Sequence, residues 1–239
     1  MERPIYLDAA ATTPVLPEVA EIMLYYMREE FGNPGSRTHE YGTKAKQAVQ
    51  KARDQIAAVV DCAREEVIFT SGATESNNLV ILGLRDFAEE TGRKHIISTA
   101  IEHKAVLEPL QHLEKRYGFE VDYLRPGPSG AITAEQVAEK LRPDTLLVSV
   151  MHVNNETGII QPIEQITDLL KDHPAYFHCD AAQGFGKLLG ALRNKRIDMI
   201  SASAHKICGP KGVGVLVARR RNYRRPPLEP LVFGGGQEY

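Results

Sequence analysis

Residues suited to anion binding follow the first β-rich apolar run of the chain. The stretch Ser71–Glu75 comes directly after Val67–Thr70 and opens a predicted helix. Backbone N–H groups and the helix dipole would point there at one spot, which favours a bound anion such as a phosphate. The same residues also suit ordinary N-capping by Ser71 or Thr74. This stretch alone therefore leaves a helix cap and a phosphate site as equal alternatives.

An aspartate and a lysine occupy matching positions after two later runs. Asp180 follows the predicted strand Tyr176–Cys179, where its carboxylate can hold a protonated ring nitrogen or cap a helix. Lys206 comes shortly after the predicted strand Met199–Ala202. An amine in a partly dry pocket loses its proton readily, which suits it to form a Schiff base.

The three stretches together specify one cofactor. A phosphate cradle, an aspartate for a pyridinium and a lysine for an aldehyde are the three features that hold pyridoxal phosphate (PLP). Ser203 and His205 add hydrogen-bonding groups beside Lys206. The glycine-rich segment Gly209–Gly214 fits neither the Walker A nor the dinucleotide fingerprint, so we interpret it as a tight turn.

The elements that must position these residues alternate along the chain. Strands are predicted at Val67–Thr70, His95–Ser98, Glu120–Leu124, Leu146–Val150, Tyr176–Cys179, Met199–Ala202 and Val213–Ala218. Helices are predicted at Pro17–Glu30, Thr43–Val60, Glu75–Ala88, His103–Tyr117 and Pro162–Lys171. This alternation predicts an α/β fold with a mainly parallel sheet and helices on both faces. Ligands gather beyond the carboxyl ends of such strands, where the polar stretches lie.

Composition narrows the class of protein. The chain has 239 residues, a net charge of −2 and 43% hydrophobic residues, enough for one sizeable core without a strong field toward nucleic acid or membranes. Its three cysteines, Cys62, Cys179 and Cys208, form no C-x-x-C pair, and the amino terminus has no apolar signal-peptide segment. We therefore expect a cytoplasmic protein without a metal site and without direct binding to nucleic acid or membranes.

Several segments resemble, in the same order, the Nif/Isc-type cysteine desulfurases of the class V aminotransferase family. The matching segments are Tyr6–Pro14, Phe31–Pro34, Phe69–Ser76, Glu102–Val106, Val150–Gly158, His178–Gln183, His205–Lys206, Gly209–Gly212 and Gly234–Glu238. The resemblance covers essentially the whole chain. It implies the large domain of a PLP-dependent transferase of fold type I.

The resemblance also implies roles for individual residues. Lys206 would form the Schiff base with PLP, Asp180 would pair with the pyridine nitrogen, and His103 would stack on the ring and assist proton transfers. The position of His103 by itself favours a plain helix cap. The remaining cofactor contacts would be Asn155 and Gln183 at the ring oxygen, and Ala73, Thr74, Ser203 and His205 around the phosphate.

The implied activity is the removal of sulfur from L-cysteine, giving L-alanine and a persulfide on a protein cysteine. Members of the family act as homodimers and pass the sulfur to an acceptor protein. The destination of the sulfur stays open among iron–sulfur clusters, thiolated tRNA and modified DNA. Other class V enzymes, such as an aminotransferase or a selenocysteine lyase, and a truncated non-catalytic scaffold remain alternatives.

The domain organisation follows from the same resemblance. We expect residues 15–239 to form the PLP-binding large domain and residues 1–14 to belong to a small second lobe. Family members continue beyond Tyr239 into a C-terminal domain that carries the nucleophilic cysteine, so the chain resembles a form without that domain.

Two further features have ordinary structural interpretations. Cys208 is expected to be structural. The basic run Arg219–Arg225 is expected to be a solvated loop rather than a binding site for an acidic partner.

Overall fold

A seven-stranded sheet organises the part of the chain described by the computed structural model, which is residues 4–234, 236 and 238. The strands are β1 Val67–Thr70, β2 His95–Thr99, β3 Glu120–Leu124, β4 Thr145–Ser149, β5 Tyr176–Asp180, β6 Met199–Ser203 and β7 Gly214–Ala218. Each lies within one or two residues of a predicted strand. The strand predictions are therefore confirmed.

The sheet is mainly parallel, as predicted, but its last strand runs the other way. The order is β1-β7-β6-β5-β4-β2-β3, and β7 pairs antiparallel with both β6 and β1. The other neighbouring pairs are parallel. Only the short segment 204–213 joins β6 to β7, and it is too short for the crossover that parallel strands require. The tight turn predicted at Gly209–Gly214 thus reverses the chain.

The helices are α1 Pro17–Arg28, α2 Glu40–Val60, α3 Ala73–Gly83, α4 Arg85–Thr91, α5 Lys104–Tyr117, α6 Ala134–Lys140 and α7 Ile163–Leu169. The single helix predicted over Glu75–Ala88 is wrong, because α3 ends at Gly83 and α4 begins at Arg85. The backbone N–H of Glu229 donates to the Gly83 carbonyl at 2.9 Å and occupies the acceptor that a continuing helix would use.

Both faces of the sheet are buried under hydrophobic clusters. Consecutive residues such as Ile96 and Ile97 belong to two different hydrophobic clusters, because successive side chains of a strand point to opposite faces. One cluster includes α2 and α7, and the other includes α3 and α5. The helices on both faces predicted from the sequence are present.

The amino-terminal segment lies against the turn that follows β6. The Thr13 backbone N–H donates to the His205 carbonyl at 2.8 Å, and that of Leu16 donates to the Cys208 carbonyl at 3.1 Å. The next element, α1, has no buried residue. Membership of residues 1–14 in a second lobe stays a prediction. Within the described ranges, no helix has the length and apolar character needed to cross a membrane.

The basic run Arg219–Arg225 is only in part the solvated loop that we predicted, because Arg220 and residues 222–224 are exposed but Arg219 and Arg221 are not. Arg219 is buried, and its guanidinium donates to the carbonyls of Val60 at 2.6 Å and Leu192 at 2.9 Å. Arg221 pairs with the buried carboxylate of Asp198 at 2.5 Å. These two arginines anchor the chain after β7 because buried carbonyl and carboxylate oxygens need donors.

Candidate active site

A cavity of about 610 Å³ opens at the carboxyl ends of the parallel strands. All nine residues assigned to the cofactor from the sequence line it: Ala73, Thr74, His103, Asn155, Asp180, Gln183, Ser203, His205 and Lys206. They lie at the carboxyl ends of five different strands or on the connections that follow them. The fold thus collects side chains from distant parts of the chain around one space.

One corner of the cavity is the amino terminus of α3. The capping alternative raised from the sequence is not realised, because Gly72 is the N-cap residue and no side chain caps this helix. Ser71 instead donates its backbone N–H to Glu75 Oε2 at 2.7 Å. The N–H groups in the first turn of a helix have no partner within the helix, so this terminus is suited to an anion.

Asp180 lines the cavity as the last residue of β5, whereas the predicted strand ended one residue before it, at Cys179. Its side chain is buried; Oδ1 accepts from the Ala182 backbone N–H at 3.0 Å and Oδ2 from Asn77 Nδ2 at 2.7 Å. Burial raises the pKa of the carboxyl, while these two donors and the nearby His103 and Lys206 act in the opposite direction. A cationic ring N–H is the kind of partner that a buried carboxylate requires.

Lys206 lies in the short turn after β6, with Nζ within hydrogen-bonding distance of the Ala10 carbonyl oxygen. Burial lowers the pKa of its amine, and the charge of Lys187 lowers it further. A lowered amine pKa favours the neutral form that attacks an aldehyde. Lys211 lines the same cavity and gives a natural comparison for Lys206.

His103 combines both roles that the sequence left open. It is the N-cap of α5, and its Nδ1 accepts from the Ala105 backbone N–H at 3.0 Å. With Nδ1 acting as acceptor, a neutral ring carries its proton on Nε2. The capping bond therefore fixes the tautomer of a ring that lines the cavity.

The two predicted side-chain amides contact groups of the protein itself. Asn155 Nδ2 donates to Glu156 Oε1 at 2.7 Å, and Gln183 Nε2 donates to the Ala10 carbonyl at 2.8 Å. His205 Nδ1 lies 3.2 Å from Thr12 Oγ1. The amino-terminal segment therefore contributes to the cavity wall, a contribution that was not predicted from the sequence.

Two further buried residues were missed. Asn77 is fully buried on α3 and lines the cavity; its place three residues after Thr74, on the same helix face, was the available signal. Glu102 precedes His103, and its Oε1 accepts from Thr99 Oγ1 at 2.8 Å and from the Met151 backbone N–H at 2.9 Å. Burial raises the pKa of Glu102 to about 8.

None of the three cysteines lines the cavity. The backbone N–H of Cys208 donates to Thr13 Oγ1 at 2.7 Å, which ties the residue to the amino-terminal segment. Burial raises the pKa of the Cys62 thiol to about 11, and it also raises that of Cys179. In the described part of the chain, no three His, Cys, Asp or Glu residues converge as metal ligands would.

Comparison with known proteins agrees with this geometry. The family model of class-V aminotransferases matches residues 5–238. The chain is 50% identical to the cysteine desulfurase IscS of Shewanella sp. (strain MR-4), with all of this chain and 58% of the relative covered. It is 48% identical to the mitochondrial cysteine desulfurase of Arabidopsis thaliana, with 99% of this chain and 51% of the relative covered.

Solved structures show the same fold. The structure of DndA from Streptomyces lividans is 62% identical with a TM-score of 0.88, and the match covers 98% of this chain and 65% of that one. SspA in complex with cysteine is 44% identical with a TM-score of 0.90, over 98% and 66% of the two chains. The chain spans about half the length of the curated relatives. The resemblance drawn from the sequence, including PLP dependence as a property of the family, is confirmed: the chain belongs to the class-V aminotransferase family.

Proposed function

We propose that this chain is the PLP-binding part of a cysteine desulfurase, which takes sulfur from L-cysteine and leaves L-alanine. The observation that supports this most directly is the convergence of Lys206, Asp180, His103 and the amino terminus of α3 on one cavity. The relatives named cysteine desulfurase match it over its whole length. Together they favour desulfuration over the other class V activities.

The residues of the cavity fit PLP at three separated points. The uncapped terminus of α3 suits the phosphate, the buried Asp180 carboxylate suits a ring N–H, and the Lys206 amine suits the aldehyde. Ser203 and His205 lie at the end of β6 and bound the same space. Each of these features is a property of the chain itself and points to the same cofactor.

Bound PLP supplies an electron sink for the charge that develops at the substrate α-carbon. Asp180 holds a proton on the ring nitrogen, because an ionised carboxylate at this depth requires a cationic partner. Lys206 Nζ would hold the cofactor through its aldehyde, and as a free amine it would be a base inside the cavity. His103 holds a proton on Nε2, since Nδ1 is engaged by the Ala105 N–H.

The thiol that receives the sulfur comes from outside these 239 residues in our proposal. None of the chain's three cysteines lines the cavity, and burial disfavours the thiolate form of Cys62 and Cys179.

We further propose a homodimer that passes sulfur to an acceptor protein in the cytoplasm. All three cysteines are free, which agrees with a reducing compartment. The destination of the sulfur, including iron–sulfur cluster assembly, depends on that acceptor.

The test is product analysis. PLP-loaded protein is incubated with L-cysteine and a small external thiol, and alanine, sulfide and keto acid are quantified. Alanine and sulfide in equal amounts support desulfuration, whereas a keto acid without sulfide would identify an aminotransferase. Absence of any cofactor absorbance after addition of PLP would reject both.

Sedimentation of the loaded protein tests the dimer, and a monomer at all concentrations would contradict it.

A further inference from the structure

We propose that Asn77 is a positioning residue that holds the Asp180 carboxylate in the orientation and charge state that a ring N–H donor requires. The inference rests on the proposed function for the identity of that donor. The contact itself belongs to the chain and does not depend on a cofactor. Asn77 lies on α3 and Asp180 at the end of β5, so the bond joins two separate elements of the fold.

The geometry of the contact is that of a strong, shielded hydrogen bond. Asn77 Nδ2 donates to Asp180 Oδ2 at 2.7 Å. Asn77 is fully buried and Asp180 is 5% exposed, so water has little access to either group. A bond from an amide to an ionised carboxylate is charge-assisted and gains strength in a medium of low polarity.

The unsatisfied atom of Asn77 shows which partner determines its orientation. Its Oδ1 is buried without a hydrogen-bond partner among the described residues. Rotating the amide by 180° would bring Oδ1 against the carboxylate oxygen, where two acceptors repel. The observed orientation keeps the bond to Asp180 and leaves the carbonyl oxygen without a partner. Because an unsatisfied buried acceptor is costly, the bond to Asp180 must determine how the amide is oriented.

The groups around Asp180 shift its pKa in opposite directions, so each donor affects its charge state. Burial raises the pKa of Asp180, and the Ala182 N–H, the Asn77 amide, His103 and Lys206 counter that effect. The ionised carboxylate of Asp180 acts in turn on the nearby Glu102 as a like charge and raises its pKa. Ala182 is engaged with Oδ1, so Asn77 is the side-chain donor at Oδ2. Removing it would favour transfer of the ring proton to the carboxyl group.

The same helix also serves the other end of the cofactor. Asn77 is three residues after Thr74, and residues at this spacing lie on one face of a helix. The terminus of α3 thus faces the phosphate position while its second turn contacts the residue assigned to the ring nitrogen. A shift of α3 would disturb both contacts together.

The test uses Asn77→Leu, which keeps the approximate volume but removes the donor. Asn78→Leu is the matched control, because Asn78 Nδ2 donates within its own helix to the Thr74 carbonyl at 2.9 Å. Each protein is loaded with PLP labelled with ¹⁵N in the ring. In Asn77→Leu we expect the ¹⁵N chemical shift to move toward that of an unprotonated pyridine, as in Asp180→Asn. Wild-type protein and Asn78→Leu are expected to keep the protonated value.

A second measurement works without cofactor. The carboxyl carbon of Asp180 is followed by ¹³C NMR during a pH titration of the cofactor-free protein, with Asp180→Asn to assign the signal. We expect Asp180 in Asn77→Leu to titrate about one pH unit higher, a tenfold change in its acid constant. Glu102, His103 and Lys206 remain in the variant, so the difference isolates the amide. Asn77→Ala is the alternative should the leucine variant not fold.

The outcomes separate the two proposals. An unchanged Asp180 titration and an unchanged ring shift in Asn77→Leu would overturn the role of Asn77. If the wild-type protein binds no PLP, the proposed function fails, yet the cofactor-free titration still decides the coupling between Asn77 and Asp180. In wild-type protein the side-chain N–H signals of Asn77 should shift at the same pH as the Asp180 carboxyl. Independence of these two signals would also contradict the proposal, and this measurement requires no variant.

Discussion

At the scale of single residues, two lysines line the cavity from the connection between β6 and β7. Lys206 follows β6 by three residues, whereas Lys211 lies on the turn before β7. Burial lowers the pKa of the Lys206 amine, which favours its reaction with an aldehyde. The proposed assignment therefore makes the two lysines distinguishable by a chemical experiment.

Reduction with borohydride provides the first prediction. After incubation with PLP, wild-type protein and Lys211→Ala should retain covalent cofactor on treatment with borohydride, and Lys206→Ala should retain essentially none. The measurement is intact mass with peptide mapping. Covalent cofactor on Lys206→Ala at the wild-type level would show that another amine binds the aldehyde.

Glu102 provides a second prediction, which concerns stability against pH. Its pKa is raised from 4.5 to about 8 by burial, so the native state holds a proton that the unfolded state has already lost between these values. The contribution of this group to stability is present in full below pH 4.5 and is lost as the pH rises toward 8. The loss amounts to roughly 1.4 kcal/mol per pH unit within that window.

Glu102→Gln should remove this dependence. Glutamine keeps an acceptor for Thr99 and the Met151 N–H, and it cannot ionise. The free energy of unfolding of the variant, measured in urea, should therefore exceed that of wild-type protein increasingly from pH 5 to pH 8. Glu139→Gln, on the exposed surface of α6, is the control and should follow wild-type protein. Parallel curves for Glu102→Gln and wild type would show that Glu102 is ionised in the native state.

At the scale of elements, the first residue of β7 packs directly on the loop before α3. A Cβ added to Gly214 would overlap the Cα of Gly72 and lie 2.8 Å from the Ala202 carbonyl oxygen. Gly72 is the N-cap of the helix whose terminus we propose to bind the phosphate. Only glycine allows the two backbones to approach so closely.

Gly214→Ala is therefore expected to displace the Ser71–Thr74 loop and weaken PLP binding about tenfold, which corresponds to roughly 1.4 kcal/mol. Overpacking of this kind should also lower the free energy of unfolding by about 1–3 kcal/mol. The dissociation constant is measured by absorbance titration. Gly127→Ala, where a Cβ would meet nothing within 4 Å, is the control. An unchanged dissociation constant in Gly214→Ala would mean that this loop does not hold the phosphate.

A row of buried polar side chains links the central strands below the cavity. His178 Nδ1 lies 2.9 Å from Ser149 Oγ, and its Nε2 lies 2.9 Å from Ser201 Oγ, so the ring joins β4, β5 and β6. Burial lowers the pKa of His178 to about 3, so the ring stays neutral. These bonds hold in register the strands that carry Asp180 and Ser203, because each buried polar group requires a partner.

At the scale of the whole molecule, the chain supplies groups proposed for cofactor binding but no cysteine thiol at the cavity. The residues proposed for PLP meet at the carboxyl ends of the strands of one sheet, whereas no cysteine of the chain lines the cavity. We expect the polypeptide of residues 1–239 to bind PLP but to form no persulfide of its own with L-cysteine. Cys208 is tied by its backbone to Thr13 and should not act as acceptor.

The check is persulfide detection by mass spectrometry on the wild-type polypeptide and on Cys208→Ser. Neither should carry a persulfide in the absence of another thiol. A persulfide on the wild-type polypeptide that disappears in Cys208→Ser would show that Cys208 is the nucleophile. A persulfide in both would point to Cys62 or Cys179.

The sequence by itself determined the strands and the residues that follow them. Short apolar runs separated by amphipathic stretches are local signals, and the end of a parallel strand is the position where polar residues meet ligands. Asp180 and Lys206 could therefore be selected as candidates from their positions along the chain. The resemblance to the class V family added Asn155 and His103, whose local patterns are no different from loops and helix caps.

Only the tertiary structure decided which groups contact one another. The bond between Asn77 and Asp180, the burial of Glu102 and the packing of Gly214 on Gly72 join residues that are far apart in the chain or whose burial depends on other elements. The break between α3 and α4 has the same origin, since it depends on a bond from Glu229. Periodicity reports which face of an element is buried, but pairing energies and pKa shifts depend on neighbours that folding supplies.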